Sequence, residues 1–332
     1  MISIKDISKK TGYSVTTVSR ALNNHSDVNE NTKTIIKQAA DEMGYVPNLI
    51  AKNLVSGSSK TIGFITNKLD QDSLIDNFAV RVFLGMFELE HSYEIILIHY
   101  DSKYFSSKSF DEIMRERQLE GAVVQGFDEA DIFVKQAYES KYPTIFVDIG
   151  FENNTTSYVS SNLSKALTLG MDEIDKAGFT DVAIVVGKEA SYITKSWLEV
   201  INTYLEKETK KNIVLLEGHY SEELAFQVVD KELEDGNRFE VYFCLSDLMA
   251  MGVYRALEKH NLSVPEDISV LGYDDIIVSR YLTPKLSTIA QNWERVGQTS
   301  VSQLIKLIEK EKVTPQLLDV ELMMRESFKE RK

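Results

Sequence analysis

The chain has 332 residues, enough for two or three domains and a sizeable buried core. Hydrophobic residues make up 43% and charged residues 27%, which excludes a largely disordered or collagen-like chain. No apolar run approaches the roughly 18 residues of a membrane span. The single cysteine, Cys244, excludes an intramolecular disulfide and a cysteine-only metal site. The N-terminus lacks the apolar segment of a secretory signal, so we expect a cytoplasmic protein without a membrane partner.

Charge is distributed unevenly along the chain. The net charge is −14, and an acidic surface of this kind repels nucleic-acid phosphates. Residues 1–60, however, contain eight Lys or Arg against five Asp or Glu and carry +3, which leaves −17 for the other 272 residues. This asymmetry between a small basic head and a large acidic body is typical of a nucleic-acid-binding arm on a larger domain.

The basic head contains signals for three short helices. Ser3, Ser14 and Asn31 each precede a helix-like run and can cap its N-terminus. Gly12 lies between the first two runs and allows a tight turn, so the sequence predicts a helix-turn-helix.

The second predicted helix has two distinct faces. Its apolar face, which we expect to pack inward, consists of Val18, Ala21 and Leu22. The opposite face has no acid and combines a guanidinium with hydroxyls, groups that bind bases and phosphates; it consists of Val15, Thr16, Ser19 and Arg20. From the pattern alone, a solvated polar face on an ordinary three-helix unit remains an alternative.

From residue 61 onward, apolar runs alternate with amphipathic stretches. Continuous apolar runs predict parallel strands buried on both faces, at 61–66, 94–100, 121–126, 144–148, 182–187, 213–218, 241–246 and 268–274. Helices are predicted at 78–91, 163–177, 192–206, 221–233 and 247–260. This alternation predicts an α/β fold of two doubly wound halves with about four strands each. The glycine-rich nucleotide-binding motifs are absent from the sequence.

Polar residues follow most of the predicted strands. Ligands of open α/β sheets bind beyond the carboxyl ends of the strands, where this chain has Asn67, Gln125, Asp148, Ser246, Asp274, Asp275 and Gln291. Together with nearby aromatic rings, such side chains suit a polyhydroxyl ligand. Some have simpler explanations: Asp247 is expected to cap the following helix, Phe146 and Cys244 to lie in the core, and Trp293 to be either a packing residue or a ligand contact.

Three stretches carry a family resemblance. KDISKKTGYSVTTVSRALNN followed by MGYVPNLIAKNL resembles the DNA-binding headpiece and hinge of the LacI/GalR family of bacterial transcription regulators. FCLSDLMAMGVYRALEKHNLSVPEDISVLGYDD and LTPKLSTIAQNWERVGQTSV are similar to the family's effector domain and its crossover into the C-terminal helix. The resemblance implies a helix-turn-helix domain (1–46), a hinge helix and linker (47–59) and a core (60–332). The core would comprise two subdomains of periplasmic-binding-protein-like type, at 60–160 with 293–318 and at 161–290 with 319–332.

For DNA, the resemblance implies that the helix from Ser14 to Asn23 enters the major groove. The implied contacts are Ser14, Val15, Thr16, Thr17, Ser19, Arg20 and Asn23, with Leu54 of the hinge helix inserted into the minor groove. A homodimer would read a palindromic operator in double-stranded DNA. The chain has no leucine-heptad tail after LLDVELMM, so we expect a dimer, not a tetramer.

For the effector, the resemblance implies a set of contacts at the strand ends. They are Phe78, Gln125, Asp148, Trp197, Tyr220, Ser246, Asp274, Gln291 and Trp293. Two of them depart from the family pattern: Trp197 replaces an arginine that binds effector oxygens, and Ser246 replaces an asparagine. Because an anionic effector needs a cation and only Lys195 lies near, we expect a neutral sugar stacked on Trp197.

The predicted function is therefore a repressor of a carbohydrate-utilisation operon that a small sugar releases from its operator. The alternatives are a regulator of the same kind that uses a corepressor protein or a non-sugar ligand, and, less well supported, a solute-binding protein or a glycosidase. The five histidines form no metal-binding or catalytic motif, so we expect no enzyme activity, no catalytic residues, no metal and no cofactor.

Overall fold

A computed structural model describes residues 2–45, 58–67, 78–89, 91–101, 108–188, 191–208 and 210–329. The chain divides into two compact units, Met1–Ser59 and Lys60–Lys332. Most of the predicted hinge, including Leu54, lies outside the described residues. In the part of the chain that is described, no helix is both long and apolar enough to cross a membrane.

The described residues of the head unit form three helices, α1 (Ile4–Thr11), α2 (Val15–Leu22) and α3 (Glu30–Glu42). Gly12 ends α1 with a φ of +76°, so the tight turn uses the backbone freedom of glycine. The cap of α3 differs from the prediction: Asn29, not Asn31, is the N-cap, and its side chain accepts from the Asn31 N–H. The core of the unit is small and apolar and consists of Ile7, Val18, Ala21, Val28, Ile36 and Ala40.

Twelve strands follow in the part of the second unit that the structure describes. They are β1 (Thr61–Thr66), β2 (Glu94–His99), β3 (Gly121–Gln125), β4 (Thr144–Val147), β5 (Thr156–Ser161), β6 (Asp181–Val186), β7 (Asn212–Glu217), β8 (Val241–Cys244), β9 (Ser269–Asp274), β10 (Ser287–Ala290), β11 (Gln316–Leu318) and β12 (Glu321–Met323). Sheet A has the order β11-β5-β4-β3-β1-β2 and sheet B the order β12-β10-β9-β8-β6-β7. The pairs are parallel except β10 with β12.

Eight helices of the described chain surround these sheets. They are α4 (Phe78–Glu88), α5 (Phe110–Glu116), α6 (Ile132–Glu139), α7 (Leu163–Lys176), α8 (Tyr192–Leu205), α9 (Glu222–Glu234), α10 (Asp247–Lys259) and α11 (Trp293–Ile308), and a 3-10 helix spans Ile277–Arg280. In sheet A, α4 and α11 bury one face and α5 and α6 bury the other. The two doubly wound α/β halves predicted from the sequence are therefore present.

Each sheet has six strands in the described residues, whereas the sequence predicts about four in each half. The clearest omission is β5, whose sequence TSYVSS is mostly hydroxyl-bearing and lacks the apolar run of a buried strand. Nevertheless, five of its six residues are buried between β4 and β11.

Helix α11 crosses back from sheet B onto sheet A and packs closely against α4. A Cβ atom on Gly85 would lie 2.1 Å from the carbonyl oxygen of Glu294, so only glycine fits at this crossing. Arg81 on α4 donates to both carboxylate oxygens of Glu294, at 2.9 and 3.0 Å. These contacts fix the start of α11, and with it Trp293, beside the carboxyl ends of the sheet A strands.

Candidate nucleic-acid interface and ligand crevice

Helix α2 presents the two faces that its sequence predicts. Ser14 caps the helix by accepting from the Thr17 N–H at 3.0 Å, while Val18 and Ala21 are fully buried. Val15 is 44% exposed although it is apolar. An exposed aliphatic side chain beside hydroxyls suits contact with a thymine methyl group in a major groove.

Four further side chains of this helix and its caps bond within the head itself. Asn23, the C-cap, donates from Nδ2 to the Ser19 carbonyl oxygen at 2.9 Å. The hydroxyls of Ser14 and Thr17 lie 2.8 Å apart. Arg20 is paired with Asp27, a residue that the sequence analysis did not single out: the two groups are about half exposed and lie 2.7 Å apart.

Six side chains come together at the carboxyl ends of sheets A and B, and we call the region that they form the crevice: Asp148, Ser160, Ser161, Tyr220, Asp274 and Gln291. The Ser160 hydroxyl donates to Asp148 at 2.6 Å, and Gln291 Nε2 donates to Asp274 at 2.7 Å. Ser161 in turn donates to Gln291 Oε1. Gln291 thus connects the end of β5 in sheet A with the end of β9 in sheet B.

Tyr220 lies against the end of β6. Its ring covers Gly187 so closely that a Cβ there would lie 2.0 Å from a ring carbon. Its hydroxyl accepts from Thr194 at 3.0 Å. Burial, together with the negative charges of Asp274 and Asp148, raises the pKa of Tyr220 to about 12. Tyr220 therefore stays a neutral hydroxyl beside two carboxyl groups.

The backbone is strained around the crevice. Asp148, Tyr220 and Asp274 have φ values of +58°, +57° and +120°, in the region that favours glycine. Such strain costs about 1–3 kcal/mol per residue and clusters at functional sites. Burial also raises the pKa of Asp148 to about 6, so part of its population is protonated near neutral pH.

An aromatic pair flanks the sheet A side of the crevice. The rings of Phe78 and Trp293 stack with their centroids 4.7 Å apart. Two polar atoms in this region, Trp293 Nε1 and Gln125 Oε1, are buried without a hydrogen-bond partner. A buried polar group without a partner is costly, so these atoms are available to a ligand that reaches them.

Trp197 and Ser246 occupy different positions from those expected. Trp197 is only 1% exposed and contacts Tyr273 edge-on at 5.1 Å, so its ring has no open face for a sugar to stack on. Ser246, expected to contact the effector, is the N-cap of α10 and accepts from the Met249 N–H at 3.1 Å. The sequence offered a signal for this role, because serine is among the preferred N-cap residues.

Asp247 was expected to cap that helix, and this prediction was wrong. Its side chain is fully buried, and its two oxygens accept from the Ile276 N–H at 3.0 Å and from the Ser279 and Thr288 hydroxyls at 2.6 Å each. Burial raises the pKa of Asp247 to about 7. It therefore connects α10 with the segments that follow β9. Phe146 and Cys244 are fully buried core residues, as predicted.

Contacts that the sequence does not indicate join the two halves of the second unit. Tyr192 at the start of α8 lies against Gly150, where a Cβ would be 2.2 Å from its hydroxyl. Lys195 pairs with Glu129 at 3.2 Å, and Lys188 approaches Asp128 to 3.8 Å. The two ion pairs thus link the loop after β3 in sheet A to the segment that runs from the end of β6 into α8. They could not be read from the sequence because they depend on how the two sheets face each other.

The described residues contain no group of three or more His, Cys, Asp or Glu side chains that could hold a metal ion. The groups that converge in the crevice are hydroxyls, an amide and carboxyls. Such a set can accept from and donate to the hydroxyls of a polar ligand.

Comparisons with known proteins assign both units. A family model described as bacterial regulatory proteins, lacI family, matches residues 3–48, and one described as a periplasmic binding protein-like domain matches residues 172–328. The probable HTH-type transcriptional repressor ExuR of Bacillus subtilis (strain 168) is 30% identical over 337 residues, which cover 99% of each chain.

Solved structures agree with these matches. The lac repressor dimer bound to operator and the anti-inducer ONPF superposes with a TM-score of 0.81 at 26% identity and covers 98% of each chain. A LacI family transcriptional regulator from Enterococcus faecium with bound ribose has a TM-score of 0.67 at 25% identity and covers 82% of this chain and 100% of that one.

Proposed function

This chain belongs to the LacI family of bacterial regulatory proteins and is a DNA-binding transcriptional repressor, and we propose that a small neutral sugar bound in the crevice releases it from a palindromic operator. The observation that carries the proposal is the crevice itself. Asp148, Tyr220, Asp274 and Gln291 provide donors and acceptors, and the partly exposed Phe78, which stacks on the buried Trp293, provides aromatic surface.

The charge of the crevice favours a neutral ligand over an anionic one. Two carboxyl groups, those of Asp148 and Asp274, lie in the crevice. A phosphate bound there would need cationic partners instead. Lys195, the cation that could replace the family's arginine, is paired with Glu129. The ribose bound to the Enterococcus faecium regulator supports a sugar as the ligand class. Regulation of a carbohydrate-utilisation operon follows from the same proposal.

We propose that the outer face of α2 recognises DNA. Val15, Thr16 and Arg20 would contact base edges. The other side chains would contact the DNA backbone or the same bases; they are Ser14, Thr17, Ser19 and Asn23. A minor-groove contact by Leu54 stays a prediction from the sequence. We keep the same proposed division of the chain: a head (1–46), a hinge (47–59) and two subdomains (60–160 with 293–318, and 161–290 with 319–332). The DNA partner makes the cytoplasm the proposed location.

We propose a homodimer as the operator-binding form. Leu84 and Phe87 on α4 are 56% and 53% exposed, and Leu97 on the neighbouring edge strand β2 is also exposed. Exposed apolar side chains grouped in this way indicate an interface. The structural match to a dimeric repressor supports a second copy as the partner. In sedimentation experiments, the variant Leu84→Asp is expected to shift the protein toward monomer, and an unshifted variant would argue against this surface.

A tryptophan fluorescence titration tests the sugar proposal. The probes are neutral mono- and disaccharides and the phosphates of the same sugars, each with and without bound operator DNA. The response should come from Trp293, which stacks on Phe78, and not from the enclosed Trp197. Accordingly, Trp293→Phe should abolish the signal and Trp197→Phe should retain it.

Each outcome of the titration has a definite meaning. A neutral sugar that perturbs Trp293 and releases DNA supports the proposal. Binding of sugar phosphates alone overturns the neutral-ligand assignment. If DNA binds and no sugar changes either signal, the alternative of a corepressor protein or a non-sugar ligand takes its place.

A further inference from the structure

Asp27 lies beside the proposed DNA-binding face of α2 and pairs with Arg20. We propose that Asp27 is a positioning and specificity residue, which orients Arg20 for one base contact and keeps it from binding phosphates indiscriminately. The inference rests on the proposed role of Arg20 in base recognition.

The geometry of the pair leaves one edge of the guanidinium available. Arg20 Nε donates to Asp27 Oδ1 at 3.2 Å, and Arg20 Nη2 lies 2.7 Å from Oδ2, so the carboxylate binds the guanidinium from the side. An arginine has five N–H donors in a planar fork, and this arrangement uses two of them. The outer edge, formed by Nη1 and the second N–H of Nη2, keeps the two parallel donors that O6 and N7 of a guanine accept.

The residues on either side of Asp27 fix the path of the backbone that carries it. On one side, the turn after α2 contains Asn24 with a φ of +58°, and Lys37 on α3 donates to the Asn24 side chain at 2.6 Å. On the other side, Val28 is buried in the core of the head and Asn29 caps α3. Asp27 therefore lies between two fixed points, and pairing with it restricts the rotamers of Arg20 before DNA arrives.

The charge of Asp27 affects the two modes of DNA binding differently. Non-specific binding depends on cations that neutralise phosphates, and a carboxylate beside Arg20 both offsets its charge and repels the DNA backbone. A specific guanine contact uses the outer edge of the same guanidinium and is compatible with the pair. Asp27 thus weakens binding to wrong sequences more than binding to the operator, which is how specificity increases.

The test uses the full-length protein and two DNA probes. One probe is the duplex that the wild-type protein selects from a pool with a randomised centre, and the other is poly(dI-dC). Affinities for both are measured across a range of salt concentrations for wild type, Asp27→Asn, Glu42→Gln and Arg20→Ala. Glu42→Gln is the matched control, because it removes one negative charge of the same head from a similarly exposed ion pair, Lys10–Glu42, without touching Arg20.

In Asp27→Asn we expect the ratio of selected-duplex affinity to poly(dI-dC) affinity to fall about tenfold. The salt dependence of poly(dI-dC) binding should become steeper by about one released ion, since Arg20 is then free to pair with a phosphate. Base preference should relax at one position of each half-site only, a pattern that loss of folding would not produce. Glu42→Gln should leave the base preference as in wild type.

The outcomes separate this inference from the function on which it rests. If Asp27→Asn and Glu42→Gln behave alike while Arg20→Ala relaxes one position, the role of Asp27 is overturned and that of Arg20 stands. If Arg20→Ala selects the same duplex as wild type, the base-reading role of Arg20 fails and the inference fails with it. If the wild-type protein enriches no duplex, sequence-specific recognition by the head is itself overturned.

Discussion

The candidate DNA-binding face and the crevice are built in opposite ways. The DNA-binding face comes from ten consecutive residues, Ser14 to Asn23, on one short helix and its caps. The crevice takes its side chains from residues scattered between Asp148 and Gln291, which meet only because the strands of two sheets end there. A local pattern therefore suffices to locate the first site, whereas the second depends on sheet order and on the approach of two sheets.

The carboxyl pKa values are also shifted in opposite directions in the head and in the second unit. In the head, hydrogen bonds from Ser3 hold the pKa of Asp6 below its usual value, and Lys10 does the same for Glu42. In the second unit, burial raises the pKa of Asp148 to about 6 and of Asp247 to about 7. The head thus keeps its acids ionised at its surface, while the crevice and its surroundings hold carboxyls that are partly protonated near neutral pH.

The largest expected effect is a loss of stability, and it differs between two adjacent residues at the start of α10. Asp247→Ala leaves three buried donors without an acceptor, so the free energy of unfolding of the second unit should fall by about 3 kcal/mol or more. Ser246→Ala removes only an N-cap and should cost about 1 kcal/mol. Urea unfolding followed by tryptophan fluorescence measures the stability loss of each variant. A larger loss in Ser246→Ala than in Asp247→Ala would contradict the roles assigned to these residues.

A smaller effect is expected in the head, where α2 carries a valine on each face. Val18→Ala creates a cavity in the head core and should lower its stability by about 2 kcal/mol. Val15→Ala removes an exposed side chain and should change stability by less than about 0.5 kcal/mol while altering operator affinity. Hydrogen exchange of the α1–α3 amides in the full chain measures the first effect. Equal destabilisation by both variants would break the assignment of the two faces.

The raised pKa values predict a pH dependence for the second unit. A carboxyl whose pKa is about 6 or 7 when folded and about 4 when unfolded binds more protons in the folded state between these values. Stability from these groups is therefore fully present below about pH 4, falls as the pH rises from 4 towards 7, and is lost once the pH exceeds the folded pKa values. Asp6 and Glu42 have lowered pKa values, so they are already ionised at pH 5 and their contribution is lost only at lower pH.

Urea unfolding at pH 5 and pH 8 checks this prediction, because both tryptophans lie in the second unit. In the variant Asp148→Asn, the free energy of unfolding should depend less on pH near pH 6. Asparagine keeps a side-chain oxygen that can accept from Ser160, so this hydrogen bond can be retained. A second unit that becomes more stable as pH rises from 5 to 8 would show that these carboxyls are ionised in the folded protein.

The smallest expected effect concerns the ion pair between the two halves of the second unit. Glu129→Gln removes the partner of Lys195 and should weaken binding of the sugar identified by the titration by less than about fivefold. The effect should disappear at high salt because both groups are partly exposed. Glu266→Gln, which removes an exposed partner of Lys329 elsewhere, is the matched control and should leave sugar affinity unchanged. Equal effects of the two variants would exclude a contribution of this pair to sugar binding.

Much of the fold could be predicted because its signals are local. The helix-turn-helix followed from Ser3, Ser14 and Gly12, and the buried strands followed from apolar runs such as TIGFIT. The predictions failed where a segment contradicts its own composition, as in the hydroxyl-rich strand β5, or where adjacent residues compete for one role, as Ser246 and Asp247 do.

The sequence by itself determined that this chain has a basic helix-turn-helix head and a doubly wound α/β body, because helix caps, turns and hydrophobic periodicity act over a few residues. Tertiary structure alone decided that Trp197 is enclosed while Trp293 stacks on Phe78, and that Asp27 faces Arg20. The physical reason is that burial and pairing depend on which surfaces meet in space, and a residue's neighbours along the chain do not specify that.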